Sequence, residues 1–186
     1  YWCRPVPGFG DPRAQILLIG LAPGRLGSNR TGRMFTGDAS GSFLYPVLHE
    51  TGLATHPTAT DRADGLELRN AFITAVIRCA PPQNKPSADE ILNCRAYLDE
   101  ELHRLKHLRV VVALGRIAHE QYVRIRLKQE PGRLHEFPFR HGARYRFEQE
   151  PRVLLDTYHP SRQNTNSGKL TREMFLKVFQ QAVRGV

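Results

Sequence analysis

The sequence has no apolar run long enough to cross a membrane. Its longest, Val110–Leu114, has five residues, against the roughly 20 that a spanning helix needs. Cysteine is scarce: three in 186 residues, too few and the wrong parity for a disulfide scaffold. No stretch has the layout of a secretion signal, so the cytosol or nucleoid is the default setting. Acidic residues are also in deficit, 18 against 27 Lys and Arg. No Gly-Lys-Ser/Thr ends a glycine loop, and the glycine spacing does not fit the dinucleotide fingerprint.

What is present is ordinary globular composition, 40 % hydrophobic and 24 % charged, which excludes a disordered tail or a fibre. The net charge is +9, carried mainly by arginine, the side chain that meets phosphate oxygens bidentately. Nucleic acid or another polyanion is the natural partner. Plain basic solubility is the competing explanation.

Along the chain, apolar runs alternate with amphipathic segments. Ile16–Gly20, Asn70–Arg78, Arg109–Leu114 and Arg152–Thr157 read as buried strands. Residues 42–51, 87–106, 115–127 and 171–183 read as helices. The second opens on the capping box Ser87-x-x-Glu90, and His141–Gln149 reads as a short edge excursion. This rhythm predicts an α/β fold, a three-layer α/β/α sandwich around a mostly parallel four-stranded sheet. One domain is expected over residues 1–186, with its ligand beyond the carboxyl ends of the strands.

The loops at those ends hold the informative residues. Gly20, Gly24, Gly27, Gly32, Gly37 and Gly41 crowd the first, a density that lets backbone amides approach a ligand, as in phosphate cradles. Phe35 and Asp38 are embedded among them, and an aromatic there needs a surface to stack on. The second loop, Arg78–Pro86, holds Asn84 between prolines; its amide offers a donor and an acceptor to a polar edge. The fourth strand runs into His159-Pro-Ser-Arg162, where the proline biases His159 towards an extended backbone. Hydroxyls, amides and Arg162 follow, all able to bind phosphate or base edges. Taken singly, each loop could equally be a solvated turn, and a lone histidine is more often structural than catalytic.

Four stretches in order, Gly20–Gly24, Asn29–Asp38, Arg78–Pro86 and Tyr158–Thr165, together resemble the uracil-DNA glycosylases. Within them the chain is similar to the iron–sulfur type B branch, or family 5. The resemblance implies a monofunctional repair enzyme, acting on double- or single-stranded DNA as a monomer. It would flip uracil, and other deaminated bases, into a pocket and hydrolyse the N-glycosidic bond to leave an abasic site. It implies that Asp38 and His159 are catalytic. Asp38 would orient water or stabilise the sugar cation, and His159 would hydrogen-bond the uracil oxygen. It places Gly20, Ala22, Phe35, Asn84 and Asn164 at the base, with Phe35 stacking on it. Arg30, Arg33, Lys85, Ser161 and Arg162 are expected on DNA. Type A relatives carry an asparagine in the second strand where this chain has Ala75, which implies tolerance of hypoxanthine or xanthine.

The resemblance also implies a [4Fe–4S] cluster. Cys79 and Cys94 match its last two thiolate ligands. Cys3 matches neither of the first two, which are expected in a segment preceding this chain. The alternative is a divergent protein without a cluster, whose cysteines are merely small buried residues. Two rivals to the glycosylase reading stand beside it: a nucleic-acid-binding domain that has lost chemistry, and a nucleotide-binding α/β enzyme using the glycine loop.

Overall fold

The computed structural model describes residues 1–186. Six strands form one sheet in the order β1-β3-β2-β4-β6-β5. They are β1 (Phe9–Gly10), β2 (Ile16–Gly20), β3 (Ala71–Ala75), β4 (Val110–Leu114), β5 (Arg144–Phe147) and β6 (Glu150–Thr157). The inner four, β3-β2-β4-β6, run parallel, and both edges are antiparallel. The α/β expectation holds, and its four strands are this parallel centre. The sheet is two strands wider than expected. Two-residue β1 is too short to show any alternation, and β5 pairs with β6 at the sheet edge, within the edge excursion expected over His141–Gln149.

The helices are α1 (Ser28–Thr31), α2 (Ala39–Glu50), α3 (Ala88–Arg104), α4 (Arg116–Arg126), α5 (Arg162–Asn166) and α6 (Arg172–Arg184). The Ser87 capping box forms as expected, with both reciprocal bonds present. Strand side chains alternate between two cores, because successive residues point to opposite faces of a sheet. Ile16, Leu18, Val110 and Val112 join α2 and α6 on one face. Leu17, Ile19, Val111 and Ala113 meet α3 and α4 on the other. All four residues Ile16–Ile19 are fully buried, each contributing about 1.5–3 kcal/mol of transfer free energy. This two-faced burial explains why the central strands carry continuous apolar runs. It also fixes their register, so that Gly20, Ala75, Leu114 and Thr157 all end at one rim.

Candidate active site

Past that rim lies a cavity of about 660 Å³, and its walls come from three loops. The β2–α2 loop supplies Ala22, Phe35 and Asp38; the loop after β3 supplies Asn84; the segment after β6 supplies His159, Ser161 and Arg162. Phe35, Asp38, Asn84 and His159, drawn from three loops, therefore face one space.

Phe35 is held in an uncommon shape. Its φ is +53°, a left-handed conformation that costs a non-glycine residue roughly 1–3 kcal/mol and persists only when its surroundings enforce it. Here Phe35 N–H donates to the buried Ser28 Oγ at 2.9 Å, and Tyr45 donates to the neighbouring Met34 carbonyl at 2.8 Å. The Phe35 carbonyl lies where a side chain on Gly41 would have to go, 1.8 Å from an ideal Cβ there. One edge of the ring rests on Gly20, and its centroid is 6.0 Å from that of His159.

Asp38 caps α2, its Oδ1 accepting from Gly41 N–H at 2.9 Å. Capping accounts for that oxygen. The other, Oδ2, lies 2.1 Å from where a Gly27 Cβ would sit and 3.1 Å from one on Gly24. Gly24 and Gly27 thus leave room for the Asp38 carboxylate. Burial raises the Asp38 pKa. Peptide N–H groups of Gly41, Ser40 and Ser28 hold it down, as does the charge on Arg162.

His159 is half-buried in the opposite wall. Desolvation pushes its imidazole down to about 4, so the ring is neutral near pH 7. Its carbonyl accepts from Ser161 N–H and from Asn164 Nδ2, both at 2.8 Å. Asn164 is thus brought to the site as the brace of His159, not as a wall of the cavity. Asn84 reaches the rim through Pro82 and two successive left-handed residues, Gln83 (φ +52°) and Asn84 itself (φ +56°). Ala75 is buried at the end of β3.

The basic residues divide. Arg30, Lys85 and Arg162 are exposed around the mouth, while Ser161 lines the cavity and caps α5. Arg33 does not belong with them. It is 6 % exposed, its guanidinium forks onto Asp64 at 2.8 and 2.6 Å, and its Nε donates to Thr36. A buried, paired guanidinium has no free face for a phosphate, so the DNA-contact expectation for Arg33 is withdrawn. Sequence reasoning does not single out Asp64, because its partner lies 31 residues away, beyond any local pattern. Ser28 was also missed. A serine between Gly27 and Asn29 in a glycine-rich loop carries no signal of its own.

The family model described as "Uracil DNA glycosylase superfamily" matches residues 7–183. The chain belongs to this superfamily. Among its relatives, the Type-5 uracil-DNA glycosylase of Thermus thermophilus is 55 % identical, the match covering 99 % of this chain and 81 % of the relative. That of Mycobacterium tuberculosis is 45 % identical over 98 % and 67 %. The Type-4 uracil-DNA glycosylase of Sulfurisphaera tokodaii is 31 % identical over 96 % and 74 %. Within the superfamily the chain is a member of the type-5 family. Both cysteines matched earlier to cluster ligands are near this site's second loop. Cys79 follows β3 and Cys94 lies in α3, close enough that Cys94 helps burial to push the Cys79 thiol up. No group of three or more Cys, His, Asp or Glu is gathered to hold a metal.

Proposed function

We propose that this chain is a monomeric, single-domain uracil-DNA glycosylase that removes uracil from DNA by hydrolysing its N-glycosidic bond. One observation carries the reading: a single cavity gathers an aromatic face, a carboxylate, a neutral imidazole and an amide, with arginine and lysine around its mouth. An extrahelical base fits this inventory, with Phe35 stacking on its ring and Asn84 pairing with its polar edge. The cost of extruding it, a few kcal/mol, is lowest where pairing is already weak.

The C1′–N bond breaks with oxocarbenium character on the sugar, leaving negative charge on the base. His159, neutral by burial, donates a hydrogen bond where that charge develops on the uracil oxygen. It surrenders no proton in doing so. Fixed donors of this sort are effective because they need no reorganisation as charge builds. Asp38 faces the sugar, where its carboxylate stabilises the cation and accepts a hydrogen bond from the attacking water. Water supplies hydroxide to C1′ and a proton to the departing base, and both products leave intact. Ala75 presents no polar group, so discrimination rests on Asn84 and His159, and slower excision of hypoxanthine or xanthine is expected.

Cys79 and Cys94 suit two thiolate positions of a four-thiolate iron–sulfur cluster. Residues 1–186 gather no third Cys, His, Asp or Glu beside them, so these two alone do not complete such a cluster. A cluster there would be structural, pinning the loop that carries Asn84 to α3, and no step of the hydrolysis runs through it. Protein carrying the full ligand set should absorb near 400 nm and contain iron; a colourless, iron-free preparation would reject the assignment.

The test of the activity is alkali-induced strand scission at a single uracil in a labelled duplex. Wild-type protein should generate the cut, and Asp38→Ala should slow it by about 10²–10⁴-fold without loss of helical signal. Equal rates for the two proteins would sink the assignment.

A further inference from the structure

Residues 2–6 join the loop that holds Asp38 to the loop that holds Asn84. At one end, Trp2 N–H donates to the Asn29 carbonyl in α1 at 2.9 Å. Its indole rests on the backbone of Gly32, which ends α1 at φ +74°. An ideal Cβ on Gly32 would fall 2.5 Å from that ring. Only glycine admits so close a face and takes that φ without strain. Arg62 lies over the same ring, 4.3 Å from its centroid. At the other end, buried Val6 exchanges two bonds with Arg78. Its N–H donates to the Arg78 carbonyl at 2.7 Å, and its carbonyl accepts from Arg78 Nη1 at 3.2 Å. Arg78 is itself buried, pairs with Glu101 of α3 at 2.5 Å, and opens the loop that carries Asn84.

Only Cys3, Arg4 and Pro5 lie between the two anchors. Four residue steps span at most about 14 Å, so this strap limits how far the two loops can part. Pro5 stiffens it by fixing its own φ, and Trp2 Nε1 donates back to the Pro5 carbonyl at 3.4 Å.

What Trp2 presses on reaches the reacting groups within one helical turn. Gly32 N–H donates to the Ser28 carbonyl at 2.8 Å. Ser28 accepts from Phe35 N–H through its Oγ at 2.9 Å and turns its own peptide N–H to the Asp38 carboxylate. Arg62 stands two residues from Asp64, whose carboxylate forks onto Arg33. Trp2 therefore braces the segment 28–38 through α1 and through the 60–66 segment at once. It is not among the residues of the cavity wall, so its influence on a bound base is indirect.

We propose that Trp2 is a positioning residue for base excision, holding Phe35 and Asp38 in place through Gly32 and Ser28. The inference rests on the glycosylase reading for its reaction. Catalysis depends on where the carboxylate and the stacking face stand relative to the sugar, and a displacement of about 1 Å costs about 10²-fold in rate. Affinity for DNA depends instead mainly on cations meeting phosphates, which Trp2 leaves untouched.

The test is the single-turnover rate of uracil excision, measured beside the affinity for a duplex with a stable abasic-site analogue. Trp2→Ala should slow excision by about 10²-fold and leave that affinity unchanged. Trp2→Phe, which returns a flat ring to Gly32, should recover most of the rate. Leu108→Ala opens a cavity in the second core and controls for lost stability. At a temperature where both variants are folded, it should excise at the wild-type rate. Should Trp2→Ala fail to fold, Trp2→Leu carries the test; it keeps apolar volume without the flat face and should slow excision by about tenfold. A wild-type rate in the folded Trp2 variant, an equal slowing in Leu108→Ala, or no recovery with Trp2→Phe overturns the proposal. Absence of excision by the wild-type protein counts against the glycosylase reading. Excision by wild type and Trp2 variant at equal rates counts only against the role of Trp2.

Discussion

His159 shows how far position overrides residue type. Free histidine would be partly charged in mildly acidic solution, but burial holds this one down to about 4. Because its folded pKa lies below the unfolded value, its burial supports folding above about pH 6.5. That support is lost as pH falls from there through about 4, where the unfolded chain binds a proton first. The imidazole resonances of His159 should therefore titrate with a midpoint near 4; an ordinary midpoint would remove the neutral-donor role. Replacing it with alanine is expected to slow excision by about 10²–10³-fold, as for loss of one oxyanion donor. Asp38 shifts the opposite way, raised by burial. As an ionised stabiliser it should impose an acidic limb on the rate, with activity falling as pH drops through its raised pKa. Asp38→Asn should flatten that limb in a pH–rate profile under single-turnover conditions.

At the scale of elements, the β2–α2 loop depends on contacts far away in sequence. Asp64 forks onto Arg33 and also accepts from Thr60 and Leu66 N–H. It thereby joins residues 60–66 to the segment that presents Phe35 and Asp38. Both partners are nearly buried. Removing one therefore leaves an uncompensated charge, at a cost of about 3–5 kcal/mol. Asp64→Ala should lower the melting temperature far more than Asp61→Ala, whose carboxylate is exposed; similar melting of the two would refute the clamp. Gly27→Ala tests the room left for Asp38, since its Cβ would fall 2.1 Å from Oδ2. It should slow excision while DNA affinity is retained, measured on the abasic-site duplex.

Periodicity made the central strands and the four long helices legible, because each apolar residue there answers to one of two cores. The same logic could not reveal β1, where two residues leave no pattern, nor α1 and α5, single turns defined by loop contacts. The site was legible in part. Phe35, Asp38, Asn84 and His159 stood out through their company in motifs, and the structure brings all four to one cavity. Arg33 misled because an arginine in a site loop looks the same whether it faces a phosphate or a buried carboxylate. For Asn164, sequence does not show that its amide nitrogen donates to the His159 carbonyl.

For the whole molecule, the excess of nine positive charges acquires a direction. Arg162 lines the cavity, and exposed Arg30 and Lys85 stand on the same site loops. The central claim is that uracil lies on Phe35, within hydrogen-bond reach of His159, with its sugar at Asp38. The most direct measurement is a crystal structure with a duplex carrying 2′-fluoro-2′-deoxyuridine, whose glycosidic bond resists cleavage. The account predicts the uracil ring stacked on Phe35, one of its oxygens about 2.7–3.2 Å from an imidazole nitrogen of His159, and C1′ facing the Asp38 carboxylate. A duplex bound elsewhere, or an extrahelical uracil with Phe35 and His159 on no face or edge of it, would contradict it.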